Sequence, residues 1–209
     1  AGSHPKQYVM GIDPDVRYTD QPAGRLWSTT NKIEGFGTYM QMFKADRFRG
    51  RRVRMSAQVK TEGVEDGAGL WMRVDGPNGE VLTFDNMQDR PIKGTVDWTP
   101  YTVVLDVPER SQVIAAGILL EGTGKAWIAD VRLDGVSEDV ASTDLLKGKT
   151  IEELAQSATA NEADEMSAPV ATDSSLVRDL AGAWILVGRP GNVGEPPQSG
   201  GRIKFFGRG

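Results

Sequence analysis

Apolar and polar side chains alternate along much of residues 7–136, in short runs separated by clusters of Gly, Pro, Asn and Asp. The clearest run is Arg52–Lys60, in which the four apolar residues from Val53 to Val59 occupy one face and charged or polar residues the other. A period of two residues is the pattern of a strand with one buried face. No helix-length run of apolar residues with a 3.6-residue period interrupts this series. The pattern therefore predicts an antiparallel β protein.

Further segments have the composition and the boundaries of strands. They are Tyr8–Gly11, Gly24–Thr29, Gly37–Phe43, Gly69–Asp75, Val81–Asp85, Tyr101–Val107, Val113–Glu121 and Lys125–Leu133. Two connections, Asp75–Gly79 and Glu121–Gly124, predict hairpin turns, because Gly and Asn readily adopt positive φ. Eight or nine strands in so short a stretch favour two packed sheets over one open sheet. We predict an all-β fold, an antiparallel jelly-roll β-sandwich over residues 7–136.

The charge of the chain changes after residue 136. Residues 1–136 carry 17 basic and 18 acidic side chains, well mixed, whereas residues 137–179 carry ten acidic and three basic ones. We interpret residues 137–173 as an acidic linker. Within it, Thr150 and Glu153 have the spacing of a capping box, which predicts a short helix from about residue 151 to 158. Residues 161–172 are expected to be disordered and mobile.

Composition excludes several partners and chemistries. The nearly neutral body predicts no nucleic-acid binding, and no apolar run approaches the roughly 20 residues of a membrane span. The chain has no cysteine, and its one histidine, His4, lies in residues 1–6, which we interpret as a tag remnant and N-terminal tail. Without imidazole or thiol, Ser-His-Asp and Cys-His catalysis are excluded. The compartment cannot be inferred from cysteine usage, and because no signal peptide is present in the sequence we expect a cytoplasmic location.

The closing strand carries a family resemblance. Residues 126–133, with the sequence AWIADVRL, resemble the last strand of jelly-roll carbohydrate-binding modules of the galactose-binding-domain-like superfamily. Asp97-Trp98-Thr99 and the two strands that follow it are similar to another stretch of the same modules. The resemblance covers about residues 7–136. It implies a sandwich that binds a carbohydrate without catalysing a reaction.

The same resemblance implies a structural Ca²⁺ in many of these modules. They bind it with an acidic group on this strand, for which Asp130 is the candidate ligand here. In this sequence Ala129 replaces the first residue of the usual Asp pair. The alternative is that Asp130 is an ordinary solvated carboxylate. No other cofactor is expected.

A block after the middle of the chain carries the candidate ligand site. Alternation along Gly69–Asp75 places Trp71 and Arg73 on the outward face, and a dense polar run follows Phe84. One aromatic plane with amide, carboxylate and guanidinium groups suits a hydroxyl-rich or carbonyl ligand. The candidate ligand-binding residues are Trp71, Arg73, Asp85, Asn86, Gln88, Asp89 and Arg90. The alternative is that Trp71 packs under the adjacent loop while the charged residues cap turns and pair with one another. The block also resembles modules of bacterial proteins, some associated with transcription-regulator genes.

The end of the chain resembles a different fold. Gly182-Ala183-Trp184 is similar to the first strand of lipocalin-like barrels, and Arg202–Phe206 would be the second strand. Residues 174–209 would then be an incomplete lipocalin-like segment. Because two isolated strands are marginal in water, we expect them to pair with another sheet or with another chain, which would give a homo-oligomer.

Three functions remain open from the sequence. The first is a non-catalytic module that binds a glycan or a small polar metabolite. The second is part of an enzyme, of cyclase or isomerase type, whose active site lies in a lipocalin-like barrel beyond residue 209. The third is a structural or interaction module without a small ligand.

Overall fold

The computed structural model describes residues 7–33 and 35–149. These residues form strands that pair exclusively in the antiparallel sense. The strands are β1 (Tyr8–Tyr18), β2 (Gln21–Ser28), β3 (Phe36–Lys44), β4 (Arg51–Asp75), β5 (Val81–Asp85), β6 (Ile92–Val107), β7 (Val113–Glu121) and β8 (Lys125–Val136). The predicted all-β sandwich is confirmed.

Strand β4 organises the whole fold because it belongs to two layers. Its first half, residues 51–62, lies between β6 and β8, and its second half, residues 67–75, lies between β7 and β5. Strands β2 and β1 continue the first layer beyond β8, and β3 continues the second beyond β7. We call these layers sheet I (β1, β2, β8, first half of β4, β6) and sheet II (β3, β7, second half of β4, β5).

The bend that carries β4 from one sheet to the other lies between residues 59 and 68. The pairing of β4 with β6 shifts register three times in this interval. Gly63 has φ of 59°, and Gly94, which pairs with Val64, has φ of 74°. Only glycine enters this region without a steric cost from Cβ. The two glycines let the paired strands turn together. The sequence pattern predicted two separate strands, Arg52–Lys60 and Gly69–Asp75. That division is wrong, because both segments belong to the continuous strand β4.

The two predicted hairpin turns have different outcomes. Asp75–Gly79 does join the paired strands β4 and β5, with Asn78 and Gly79 at positive φ. Glu121–Gly124 instead connects β7 of sheet II to β8 of sheet I, strands that do not pair with each other. The hairpin predicted there is wrong, because turn residues determine that the chain reverses but not which strand it pairs with.

The core lies between the two sheets. The predicted alternation in Arg52–Lys60 is confirmed, since its four apolar residues are buried and the residues between them are partly exposed. Fully buried side chains from both sheets meet there, among them Met55 from sheet I and Leu70 and Ile118 from sheet II. Burial of such side chains stabilises the fold by about 1.5–3 kcal/mol each.

The outer face of sheet I carries ion pairs rather than an open charged surface. Arg52 binds Asp106 through two hydrogen bonds of 2.7 and 2.9 Å. Asp13 is 2% exposed and accepts hydrogen bonds from Trp127 Nε1 (2.8 Å), Arg25 Nη1 (2.9 Å) and two backbone amides. Burial raises the pKa of Asp13, but these donors outweigh it, so the pKa lies below its ordinary value.

A strap of residues 142–146 connects β6 to β5. The amide of Thr143 donates to the carbonyl of Val104 (2.8 Å), and the amide of Leu145 donates to the carbonyl of Phe84 (2.8 Å). The Phe84 amide in turn donates to Asp144 Oδ1 (3.0 Å). The strap therefore occupies backbone groups on the sides of β5 and β6 that face away from β4, and so shields strand edges that would otherwise invite pairing. These residues, predicted as the beginning of the linker, pack on the sandwich.

Several expectations fall outside the described residues. They are the tag remnant at residues 1–6, the helix at residues 151–158, the disorder at residues 161–172 and the lipocalin-like segment at residues 174–209. Within residues 7–33 and 35–149, there is no helix whose length and hydrophobicity would allow it to cross a membrane.

Candidate functional site

The candidate site lies on the outer face of sheet II. Trp71, Arg73 and Asp75 occupy this face of β4, as the alternation predicted, while the apolar residues between them are fully buried in the core. Residues of β7 directly opposite are small or aliphatic, with Gly117 facing Trp71 and Ala115 facing Arg73. The face is therefore shaped mainly by the larger side chains of β4.

Trp71 is held in place and largely buried. Its indole Nε1 donates to Thr38 Oγ1 of β3 at 2.7 Å, so the ring reaches across β7, which separates the two strands. Gly117, which pairs with Trp71, is needed where β3 approaches β7, since a Cβ on residue 117 would lie 2.3 Å from the Tyr39 carbonyl oxygen. The side chain is 8% exposed. Trp71 lies on the predicted face, but it packs with the buried core residues and little of it is accessible to a ligand.

Arg73 is neutralised by its neighbour on the same face. Its Nε lies 2.8 Å from Asp75 Oδ1, and its Nη2 donates to Asp75 Oδ2 at 3.0 Å. Arg73 is about one-third exposed, whereas Asp75 is buried. A ligand that bound this guanidinium would have to share it with Asp75.

Asp85 and Arg90 bind each other. Asp85 pairs with Met72 of β4, so its side chain lies on the core face, and it is 0% exposed. Its carboxylate accepts hydrogen bonds from Arg90 Nη2 (2.5 Å), Arg90 Nη1 (3.3 Å) and the Met87 amide (2.8 Å). Arg90 also contacts Asp89 at the surface. Burial lowers the pKa of Arg90, but its bonds to Asp85 and Asp89 outweigh this and leave it above its ordinary value. Asp85 is out of reach of a ligand on the outer face.

The loop after β5 is anchored at Met87. This residue has φ of 58°, a left-handed conformation that costs energy for a side chain other than glycine. Its sulfur accepts a hydrogen bond from the Leu70 amide at 3.3 Å, and the side chain is 2% exposed. The Arg90 amide donates to the Met87 carbonyl (2.9 Å), which closes the loop. Asn86 and Gln88 flank the anchored residue.

A depression of about 220 Å³ lies between this loop and β7. We call it the sheet II depression. Its floor is β4 at Gly67, and its walls are the loop on one side and Leu119 and Glu121 on the other. Its lining residues are Asp66, Gly67, Ala68, Asn86, Met87, Gln88, Pro91, Lys93, Leu119 and Glu121. Gly69 is the next residue on the same face, and a Cβ there would lie 2.9 Å from Met87 Cβ. Trp71 follows Gly69 on this face.

The depression contains only part of the predicted site. Asn86 and Gln88 line it, Trp71 lies beyond Gly69, and Arg73 lies further along β4. Asp85, Asp89 and Arg90 do not line it. Sequence reasoning missed the floor and the opposite wall, especially Gly67 and Glu121. Two glycines at alternate positions of one strand, Gly67 and Gly69, were the available signal, since glycine in a strand can mark a close approach, here of the loop residues Pro91 and Met87.

The charged groups around the depression have mixed signs. Asp66 and Glu121 are acidic, and Lys93 is basic. Tyr8, whose hydroxyl lies 2.8 Å from the Gly122 carbonyl oxygen, has a raised pKa because of its burial first and then of the charges of Glu121 and Asp66. Tyr8 is thus close enough to Glu121 and Asp66 for their charges to act on its hydroxyl. The lining thus offers amide, carboxylate and ammonium groups to a polar ligand.

A wider depression, of about 350 Å³, lies elsewhere on the sandwich, next to Arg51 and Arg52. The Arg52 guanidinium is already bound to Asp106 and to the carbonyls of Glu138 and Val140. None of the predicted ligand-binding residues lines this depression. It is therefore a weaker candidate than the sheet II depression.

The residues around Asp130 do not fit a calcium site. Asp130 lies in an irregular part of β8 with φ of 47°, and its carboxylate binds the Arg132 guanidinium at 2.9 Å. Ca²⁺ takes six to eight oxygen ligands. Within residues 7–33 and 35–149, no three acidic or histidine side chains come together in a metal-binding arrangement. The observed partner of Asp130 is a cation, which competes with a metal ion for the same carboxylate.

Comparison with protein-family models gives no match. A curated relative is the "Uncharacterized HTH-type transcriptional regulator YbfP" of Bacillus subtilis (strain 168), which is 48% identical over 155 residues. The match covers 73% of this chain and 52% of that protein. The chain thus spans about half the length of this relative.

Solved structures with a similar arrangement of strands include carbohydrate-binding modules. A module of the β-sandwich superfamily described as having promiscuous specificity shares 15% identity with a TM-score of 0.46, over 64% of this chain and 55% of that one. The CBM22-1 xylan-binding domain of Paenibacillus barcinonensis Xyn10C shares 11% identity with a TM-score of 0.39, over 62% of this chain and 82% of that one. At these values the likeness carries no conclusion about a ligand of this chain.

Proposed function

We propose that residues 7–149 form a non-catalytic module that binds a glycan or a small polar metabolite in the sheet II depression. The observation that carries the proposal is the depression itself. Its lining includes the side chains of Asn86 and Gln88, and at its floor Pro91 packs against Gly67, where a Cβ would lie 3.0 Å from Pro91 Cβ. Amides donate and accept hydrogen bonds at once, which suits hydroxyl groups that do the same.

The dimensions of the depression limit the ligand. Sites for drug-sized molecules are usually about 300–1,000 Å³, and this one is about 220 Å³. It suits about one sugar ring, or a metabolite of similar size, with Leu119 as an apolar contact. Its lining residues include neither a thiol nor an imidazole, so the proposal is for binding without catalysis.

The relative from Bacillus subtilis suggests the kind of protein in which such a module would work. Its name describes a transcriptional regulator, and this chain spans about half its length. We infer that the module senses a ligand on behalf of a regulatory protein. The alternative, that the chain is part of an enzyme with an active site in a lipocalin-like barrel, concerns residues that the structure does not describe, and it remains a prediction.

Titration calorimetry on the full chain tests the proposal. The probes are glucose, galactose, xylose, cellohexaose, xylohexaose, free amino acids and nucleosides. Gln88→Ala removes one exposed amide from the wall, and since a hydrogen bond contributes about 0.5–1.5 kcal/mol, the affinity should fall about twofold to tenfold.

Gln112→Ala is the matched control, because Gln112 is also exposed but does not line the depression. It should leave the affinity unchanged. If no probe bound the wild type at millimolar concentration, or if both variants bound like the wild type, the depression would not be the ligand site. Conversion of a probe during the titration would contradict the proposal of a non-catalytic module.

A further inference from the structure

The loop between β5 and β6 contains two kinds of polar residue. Asn86 and Gln88 line the sheet II depression, whereas Asp85 and Arg90 do not. The carboxylate of Asp85 is completely buried on the core face, and it pairs with a guanidinium that is about one-third exposed. A completely buried carboxylate is costly unless it is paired and hydrogen-bonded. The arrangement therefore requires an explanation beyond contact with a ligand.

We propose that Asp85 and Arg90 are positioning residues, which hold Asn86 and Gln88 in the wall of the depression and do not themselves contact the ligand. The inference rests on the proposed function and assigns two of its candidate residues a different role. The carboxylate of Asp85 fixes both ends of the short loop. It accepts the Met87 amide at one end and the Arg90 guanidinium at the other.

The loop conformation needs this support because it is strained. Met87 is held at φ of 58°, where a side chain with Cβ is rarely stable unless its surroundings impose it. Three hydrogen bonds hold it: the Met87 sulfur accepts from the Leu70 amide, the Asp85 carboxylate accepts from the Met87 amide, and the Met87 carbonyl accepts from the Arg90 amide. Asn86 and Gln88 are the immediate neighbours of Met87. The backbone amide of Gln88 donates to the side-chain oxygen Oδ1 of Asn86 at 3.2 Å. Release of Met87 would move both amide side chains.

Arg90→Lys tests the role directly. Lysine keeps the positive charge but cannot make two parallel hydrogen bonds to one carboxylate. Arg52→Lys is the matched control, because Arg52 also binds an aspartate, Asp106, through two hydrogen bonds, but on the outer face of sheet I. Both variants lose the same kind of interaction, and only the first lies beside the depression.

Loop order is measured without any ligand. The chain has no cysteine, so Gln88→Cys creates one attachment site for a nitroxide label in the full chain. Its electron paramagnetic resonance spectrum should show higher mobility when Gln88→Cys is combined with Arg90→Lys, and an unchanged spectrum when it is combined with Arg52→Lys. Equal spectra in both backgrounds would overturn the inference. Met87→Leu, which removes the sulfur acceptor without adding a buried charge, should also raise mobility and serves if Arg90→Lys does not fold.

Affinity is then measured on unlabelled variants with galactose, cellohexaose and xylohexaose, at a temperature where circular dichroism shows each protein to be folded. For each sugar that the wild type binds, we expect Arg90→Lys to weaken binding at least fivefold and Arg52→Lys less than twofold. Unchanged affinity in Arg90→Lys, despite a more mobile loop, would show that the ion pair has only a structural role and would overturn the inference. Failure of the wild type to bind any of the three sugars would contradict glycan binding itself and remove the basis of this inference.

Discussion

At the scale of single residues, a recurring arrangement is a buried aspartate with a partly exposed arginine. Asp13, Asp75 and Asp85 are all buried, and they pair with Arg25, Arg73 and Arg90 respectively. Arginine suits this arrangement because its planar fork binds a carboxylate while its aliphatic stem covers apolar surface. The sandwich thus accommodates internal carboxylates without leaving any of these three charges unpaired.

Asp13 provides the first test at this scale. Asp13→Asn should lower the free energy of unfolding at pH 7 by about 1.5–3 kcal/mol, the usual contribution of hydrogen bonds to a charged group. Since the pKa of Asp13 is depressed in the folded state, its contribution is present above the unfolded pKa of about 3.9 and is lost as the pH falls through the folded pKa. Urea unfolding should therefore show the difference from wild type shrinking below about pH 4. Asp15→Asn, at an exposed neighbouring residue, should change little.

Trp71 provides the second test. Because its side chain is 8% exposed and its indole binds Thr38, Trp71→Ala should cost about 3–5 kcal/mol of stability, as expected for a core aromatic. Thr38→Val, which removes the hydroxyl that accepts from Trp71 and donates to the Ile118 carbonyl, should cost about 1–3 kcal/mol. Thermal denaturation measures both. A Trp71→Ala variant as stable as the wild type would show that the indole is a ligand-binding surface and not a structural element.

Particular residues show what the sequence could and could not indicate here. The alternation in Gly69–Asp75 correctly placed Trp71 on the outer face, because a strand's geometry is local. It did not indicate that Trp71 is covered, since Thr38 lies on a strand 33 positions away along the chain. Asp85 looked like a solvent-facing ligand residue because a lone carboxylate is seldom buried. The alternative, in which the charged residues pair with one another, included the pair that the structure shows, since Arg90 binds both Asp85 and Asp89. The sequence could not choose between the two because alternation does not indicate whether Arg90 turns back to meet Asp85.

At the scale of elements, β4 and the strap determine how the two sheets are joined. The limits of Val81–Asp85 and Val113–Glu121 matched their predictions, as these strands end at clear turn residues. The sequence predicted two strands in place of β4, because the acidic residue and glycine pairs Glu62-Gly63 and Asp66-Gly67 are typical of loops. Pairing with β6 and β8, which are distant in sequence, overrides that local preference.

The strap gives the prediction for this scale. Asp144→Ala removes the acceptor of the Phe84 amide, which then loses its hydrogen bond within the described residues. Hydrogen exchange at Phe84 should therefore accelerate, while that of Leu105, inside β6, should stay unchanged. Asp139→Ala, which removes an exposed carboxylate that contacts Ser137, is the control and should affect neither amide. Equal protection of Phe84 in wild type and Asp144→Ala would show that the strap does not secure β5.

At the scale of the whole molecule, one strand that runs through both sheets makes independent unfolding of either sheet costly. Residues 51–62 of β4 cannot leave sheet I without disturbing residues 67–75 in sheet II, and side chains of both sheets share one core. Such coupling predicts a single cooperative transition for the sandwich. The strap adds a further connection, because residues 142–146 bind backbone groups of both β5 and β6.

Two leucine variants test this cooperativity. Leu26 lies in β2 of sheet I and Leu120 in β7 of sheet II, and both are fully buried, so each change to alanine should cost about 2–5 kcal/mol. Unfolding is followed by tryptophan fluorescence in a background that carries Trp71→Phe and Trp184→Phe, so that the fluorophores are Trp27, Trp98 and Trp127 of sheet I, and by far-ultraviolet circular dichroism, which reports strands of both sheets. Because the sheets share β4 and one core, both probes should give the same midpoint in each variant, shifted from wild type. If Leu120→Ala lowered the circular dichroism midpoint and left the fluorescence midpoint in place, sheet II would unfold separately, and the continuity of β4 would not couple the two layers.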